Sequence, residues 1–339
     1  MLKHLKNLSL LCGVSGCEDA VRDYIVKQID GKCDYHVDNL GNLIVFKKGK
    51  KKPDKKLMIA AHMDEVGMIV TYINDDGTLS FDFVGGVNAG SAVSRQVVVG
   101  KNSIPGVVGM KAVHNMSEKE RTDSLSVDSM RIDIGAYNRE DAEKYVSVGD
   151  YVSFVPYYSK LGGKRIAGKA LDDRAGCAIM IDLICSELEY DTYFAFTVQE
   201  EIGLRGAGAA AFAIEPDIAI VLETTTASDI STCSGPDRVC ELSKGAVVLY
   251  MDRRTVYDRK MYETAFLLAK ENKIKCQTKT KIAGGNDSGA IHTSGKGVRT
   301  LAISVPCRYL HSPACVADIS DIEMCEKLTI LLMSGINKL

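Results

Sequence analysis

Histidine and carboxylate side chains recur in this 339-residue chain at points where apolar runs stop. "LMIAA" runs into His62-Met63-Asp64, and "FAFTVQ" runs into Glu200-Glu201. "DIAIVL" runs into Glu223, and "TLAISVP" is followed by Arg308-Tyr309-Leu310-His311. "KALDDRAG" sets Asp172 and Asp173 just before a helical pattern. Each stretch alone has an ordinary explanation: a satisfied structural histidine, a solvated acidic pair, or a helix cap at Asp172. Their repetition at strand after strand argues for one site, because ligands of open α/β sheets bind beyond the carboxyl ends of the strands.

Carboxylates gathered in one place repel, and their pKa values rise. A divalent cation removes that cost. Imidazole and carboxylate donors without cysteine suit zinc, cobalt or manganese in a hydrolytic site. His62 and His311, with at least three carboxylates, exceed what one open catalytic zinc requires. They suffice for two ions sharing a bridging carboxylate, about 3.5–4 Å apart with a water or hydroxide between them. A neighbouring carboxylate that binds no metal can take the proton of that water.

The elements that must position these groups are legible as texture. Residues 17–29 carry Val21, Tyr24, Ile25 and Ile29 at helical spacing. "YHVDNLGNLIVFKKG" reads as a hairpin, and "KKGKKKPDKK" as a solvated loop without interleaved aromatics. From 67 to 162, short β-rich pieces such as "GMIVTYI", "QVVVG", "GVVGM", "MRIDIGA" and "DYVSFVP" alternate with turns, as in a small all-β barrel or sandwich. After that, strands alternate with helices such as "RAGCAIMIDLICSEL" and "VYDRKMYETAFLLAKEN". The expected fold is α/β: a mostly parallel central sheet with helices on both faces, built from 1–66 and 163–339 and interrupted by a β insertion, 67–162.

Composition narrows the partners. A formal charge of −2 gives no basic footprint for nucleic acid. The absence of Trp, with 6% aromatic residues, argues against a carbohydrate-stacking platform. No run of about 18 apolar residues implies a membrane span. The N-terminal "MLKHLKNLSLLCGVSG" reads as a first helix rather than a signal peptide. Eleven cysteines, scattered singly without a C-x-x-C pair, read as reduced thiols of a cytoplasmic protein. Cys177 and Cys185, on an apolar helix, are expected to be small buried hydrophobes.

The pieces "AAHMDEVG", "GKALDDRAG", "TVQEEIGLRGA", "VLETTTASD", "GGNDSGAIHTSGKGV" and "RYLHSP" resemble, in order and over nearly the whole chain, the glutamyl/deblocking aminopeptidase family of co-catalytic metallopeptidases. Some members carry the name cellulase M, and some form tetrahedral shells. The resemblance implies two divalent ions, with Asp172 bridging, His62 and Glu223 completing one site, and Glu201 and His311 the other. It implies Glu200 as general base and later acid, and Asp64 orienting His62 through its other ring nitrogen. It also implies peptide substrates with free N-termini, a β insertion used for dimer contacts, and a homo-oligomer, dimer or dodecamer. Asn286 departs from the commoner Gly-Gly-Thr-Asp, which bears on a local substrate contact.

Several points stay open at this level. The preferred N-terminal residue is not readable. Gly284-Gly285 suits a backbone nest or a plain turn. His114 suits a surface position or an approach to a neighbouring subunit's site, and Arg308 a substrate carboxylate or a buried acid. Rival activities are another di-metal amide hydrolase, such as a carboxypeptidase or deacylase, an endoglucanase, and a non-catalytic assembly role for the metals.

Overall fold

Leu57, Ile59 and Ala61 face one side of their strand and Met58 and Ala60 the other, and all are fully buried. A strand apolar on both faces belongs between two layers of helix. The computed structural model, which describes residues 1–119, 124–335 and 339, has that arrangement.

The strands in chain order are β1 (Asp34–Val37), β2 (Leu43–Lys47), β3 (Leu57–His62), β4 (Gly67–Ile73), β5 (Leu79–Val84), β6 (Gln96–Val99), β7 (Ile104–Met110), β8 (Met130–Asp133), β9 (Tyr151–Phe154), β10 (Tyr158–Leu161), β11 (Arg165–Gly168), β12 (Thr192–Thr197), β13 (Ile218–Thr226), β14 (Ala246–Val248), β15 (Cys276–Thr278), β16 (Arg299–Arg308) and β17 (Cys315–Asp318). An 11-stranded sheet has the order β1-β2-β12-β3-β13-β16-β17-β11-β10, with β14 pairing with β16 and β15 with β14. The centre, β12-β3-β13-β16, is parallel as expected. Both flanks are antiparallel, since hairpins such as β1-β2 and β10-β11 need no crossover.

Helices Leu2–Ser9, Asp19–Ile29, Leu171–Cys185, Arg259–Glu271 and Ile319–Ser334 bury their apolar stripes on one face. Arg205–Ile214 and Ser288–Ile291 cover the other. Among the described residues no helix is long and apolar enough to cross a membrane.

The insertion is a closed barrel, β4-β5-β8-β7-β6-β9, filled by side chains such as Met68, Val70, Phe81, Val97, Ile132 and Phe154. β5 escaped the sequence reading. The span expected for the insertion also ran too far, because β10 pairs with β11 in the larger sheet. "YSKL" is half-exposed and carries no apolar alternation, so its partner decides its membership. Only Met63–Val66 separates β3 from the barrel's first strand.

Candidate metal centre

The parallel strands end side by side. Thr197 at the end of β12 is in register with His62 at the end of β3, and Glu223 in β13 is opposite Ser304 in β16. Beyond β12 the chain turns sharply. Gln199 has a left-handed φ of 56°, and the amides of Gly203 and Leu204 both donate to the Glu200 carbonyl at 2.9 Å. Glu200 and Glu201 therefore sit in a turn, not a strand. Alternation does not drive them to opposite faces, and both line one cavity of about 1030 Å³ with Asp172, Glu223 and His311.

Asp172 is at the centre. One oxygen, Oδ1, stands 3.3 Å from His62 Nε2, and the other, Oδ2, stands 3.4 Å from His311 Nε2. His62 Nε2 is also 3.3 Å from Glu223 Oε1, and His311 Nε2 is 3.3 Å from Glu201 Oε2. Donors held at about 2.0–2.1 Å around one tetrahedral ion stand roughly 3.3–3.4 Å apart. The observed separations match that spacing on both sides of Asp172, so the donor set fits two ions sharing one carboxylate. Asp173 brings an oxygen within 4.8 Å of ligand atoms of His62 and Glu223. Its Oδ1 accepts the Gly176 amide at 2.9 Å, and its Oδ2 is buried without a hydrogen-bond partner. The peptide bond joining Asp172 to Asp173 is cis.

The charges are strongly coupled. Burial pushes Glu201 up to about 8, with Asp172 adding to the shift. Burial likewise pushes Glu223 up to about 8 against the pull of His62. Burial raises Glu200 well above the usual carboxylate range, and Glu223, Glu201 and Asp287 reinforce it. Burial opposes charge on Asp172, yet His311 and His62 hold it well below the ordinary value. Burial also opposes charge on the imidazoles, but Glu223, Asp172 and Asp64 keep His62 well above its usual range. Asp172 and Glu201 lift His311 to about 9. Every carboxylate in the cluster is better placed beside a cation than beside its neighbours.

Asp64 does more than face His62. Its carboxylate, fully buried, stands 3.3 Å from His62 Nδ1. It also accepts the Glu200 amide at 3.0 Å, the Glu201 amide at 3.1 Å and the Ser15 hydroxyl at 2.6 Å. One carboxylate thus fixes a histidine ring and the backbone of both following acids. His311 Nδ1 faces the Gly86 carbonyl, just beyond β5, at 3.3 Å.

A second buried ionic group escaped the sequence reading. Lys169 Nζ donates to both oxygens of Glu65, at 2.5 and 2.6 Å, and to the Leu11 carbonyl at 2.9 Å. Glu65 accepts the Gly13 amide at 2.9 Å, and Arg174 donates to the Leu8 carbonyl at 2.9 Å. This group ties the N-terminal segment to the stretch carrying Asp172. The adjacency of Glu65 to Asp64 was its only local signal. Asp287 was missed too: the Thr197 hydroxyl donates to it at 2.5 Å, and burial pushes it up to about 6.

Residues that the sequence left open have the following surroundings within the chain. Arg308 is bidentate to Asp229, at 2.6 and 2.8 Å, so it serves a buried acid. Asn286 accepts the Ser288 amide at 2.9 Å and donates to the Tyr257 hydroxyl at 3.0 Å, which shapes its own turn. Gly284, with a φ of 67°, is a turn glycine. His114 is exposed on the insertion and does not line the cavity. Cys177 is buried, its thiol donating to the His62 carbonyl, but Cys185 is exposed at the end of its helix. The apolar pattern stops one residue short of Cys185.

The sequence profile of the M42 glutamyl aminopeptidase family matches residues 41–328. A putative aminopeptidase of Acetivibrio thermocellus is 41% identical over 333 residues, covering 97% of each chain. A lysyl aminopeptidase of Pyrococcus furiosus is 34% identical, covering 95% of this chain and 93% of its own. The solved TET1 peptidase of Pyrococcus horikoshii, described as assembling into a tetrahedron or a large octahedral shell, superposes with a TM-score of 0.86 at 34% identity over 98% of both chains.

Proposed function

Since the chain belongs to the M42 glutamyl aminopeptidase family and is a metallo-aminopeptidase, we propose that it removes N-terminal residues from peptides at a centre of two divalent ions. The observation that carries this reading is Asp172, with one oxygen toward each histidine. His62, Glu223 and Asp172 would hold one ion, and His311, Glu201 and Asp172 the other. When bound, such ions, zinc or cobalt or manganese by donor type, supply an acidified water and polarise the scissile carbonyl.

The chain's own residues do the rest. Glu200 makes no ion pair or side-chain hydrogen bond among the described residues, so its carboxylate is left to act as a base. It takes a proton from the attacking water and returns it to the leaving amine. Asp64 holds the Glu200 amide, which fixes where that carboxylate can reach. The surrounding acids attract the free amine of the substrate.

Assembly into a homo-oligomer, with the barrel making dimer contacts, accords with large apolar side chains exposed on the insertion, such as Val113 and Tyr137. The free cysteines accord with a reducing cytoplasm.

The test is Glu200→Gln. It should lower turnover of an aminoacyl anilide by at least about a hundredfold while metal content, read by elemental analysis, stays at the wild-type level. Wild-type protein should cleave free-amine peptides and spare their N-acetylated forms. Equal cleavage of both, or retained turnover in Glu200→Gln, defeats the reading.

A further inference from the structure

The turn after β12 is held amide by amide. The Val198 amide donates to Asn42 Oδ1 at 3.0 Å, and the Gln199 amide donates to Glu18 Oε1 at 3.1 Å. The Glu200 and Glu201 amides donate to the two oxygens of Asp64. Successive N–H groups thus end on side chains from the N-terminal part of the chain. The carbonyls are engaged as well. Val198 accepts the Gly206 amide at 3.0 Å, and Gln199 accepts the Arg205 amide at 3.2 Å. Backbone groups that leave a strand need partners elsewhere, and here side chains supply those of the amides.

Gln199 is the pivot of that turn. Its φ of 56° is left-handed, a conformation that a residue with a side chain keeps only where its surroundings over-determine it. Asn42 and Asp64 hold the amides on either side, and Glu18 holds the pivot's own. Nothing local explains a glutamate at 18. It stands at the N-cap of the helix Asp19–Ile29, where Ser, Thr, Asp or Asn is favoured, and its side chain makes no cap hydrogen bond. The carboxylate turns back to the Gly16 amide at 2.8 Å and across to Gln199, and the residue is 5% exposed. A carboxylate buried here without capping its helix has its task at the distant partner.

We propose that Glu18 is a positioning residue for Glu200. By holding the Gln199 amide it keeps the pivot left-handed, and the pivot sets the direction in which the Glu200 carboxylate enters the cavity. This rests on the reading of Glu200 as the base. Glu201, one residue further on, is also tied through its carboxylate, 3.3 Å from His311. Glu200 has no such tie, so a loosened pivot is felt there first. Misplacing a reacting group by about 1 Å costs on the order of a hundredfold in rate. The effect of Glu18 therefore falls on proton transfer, while the proposed metal ligands keep their places.

The test compares two conservative substitutions in the metal-loaded protein. Glu18→Gln keeps the length and an oxygen acceptor, and should keep kcat near the wild-type value. Glu18→Asp is one methylene shorter and withdraws from Gln199, yet it is the better N-cap, so a role confined to starting the helix would leave it unharmed. It should lower kcat for an aminoacyl anilide by about ten- to a hundredfold, with KM and metal content near wild-type values. That loss should vanish in the Glu200→Gln background, because a base that is absent cannot be misplaced. Hydrogen exchange reads the contact without turnover: the Gln199 amide should exchange at least about tenfold faster in Glu18→Asp but not in Glu18→Gln. If no peptide is cleaved, or Glu200→Gln retains turnover, the aminopeptidase reading or its base fails, while faster exchange would still show that Glu18 holds the pivot. Wild-type kcat in Glu18→Asp, an equal loss with and without the Glu200 carboxylate, or unchanged exchange at Gln199 overturns the proposal.

Discussion

Replacing Asp64 by Asn tests whether one carboxylate organises the whole centre. The side chain keeps its volume but exchanges one oxygen for an NH2 group. Oδ1 accepts the Glu200 amide and faces His62 Nδ1, whereas Oδ2 accepts the Glu201 amide and the Ser15 hydroxyl. Whichever way the new amide is turned, at least one part-buried backbone N–H faces another donor. The Ser15 hydroxyl can rotate and accept, but a backbone N–H cannot. Orphaning one amide costs about 1–3 kcal/mol of stability. The effect on metal is separate. Losing a carboxylate behind a ligating histidine costs about 10–100-fold in affinity, or roughly 1.4–2.8 kcal/mol. Here the Asp64 carbonyl also stands 3.2 Å from His62 Nδ1 and survives the substitution, so the lower end applies. Urea unfolding of metal-free protein reads the first quantity, and competitive titration against a chromophoric chelator reads the second. Asp64→Asn with wild-type values in both assays would show that the contacts around Asp64 do not govern the centre.

Other outcomes follow from the same geometry. Lys169→Met leaves Glu65 buried with, among the described residues, only Arg174, at 3.6 Å, as a cation; it should lower stability by about 3–5 kcal/mol, and adding Glu65→Leu should recover most of the loss in the urea midpoint. Metal-free protein should lose stability as pH rises from about 5 to 9. Glu201 and Glu223, raised to about 8, and His311, raised to about 9, all favour the protonated folded form. Such groups contribute stability below their unfolded pKa values and lose it as pH passes the folded ones. Loading with a divalent ion should flatten that profile in thermal melts, because the ion replaces the protons.

How much of this was legible depends on where each interaction lives. The proposed ligands were, because strand ends concentrate them: His62, Glu223 and the acids after β12 each follow an apolar run that needs no tertiary information to see. The contacts that hold them were not. Asp64 reaches Ser15 and the Glu200 and Glu201 amides, and Glu65 reaches Lys169, across gaps in sequence that no periodicity spans. Backbone amides and carbonyls supply many of these partners, and a backbone group has no residue type to read. The flanks of the sheet were hidden for a related reason. β10 is polar and half-exposed, so its place depends on pairing with β11 and not on its own pattern.

The insertion is joined to the centre more intimately than a detachable module would be. β3 ends in His62, and β4 begins at Gly67, so one of the two covalent links to the barrel is the segment that carries Asp64 and Glu65. The barrel returns at Gly86, whose carbonyl faces His311 Nδ1. A Cβ on Gly85 would lie 3.2 Å from that of Glu201. The barrel's orientation and the ligand geometry therefore constrain each other: tilting the barrel moves the Gly86 carbonyl off His311 and pulls on the segment that positions His62. An oligomer contact made through the barrel would act on the proposed metal ligands through these same few residues, which would couple assembly to catalysis.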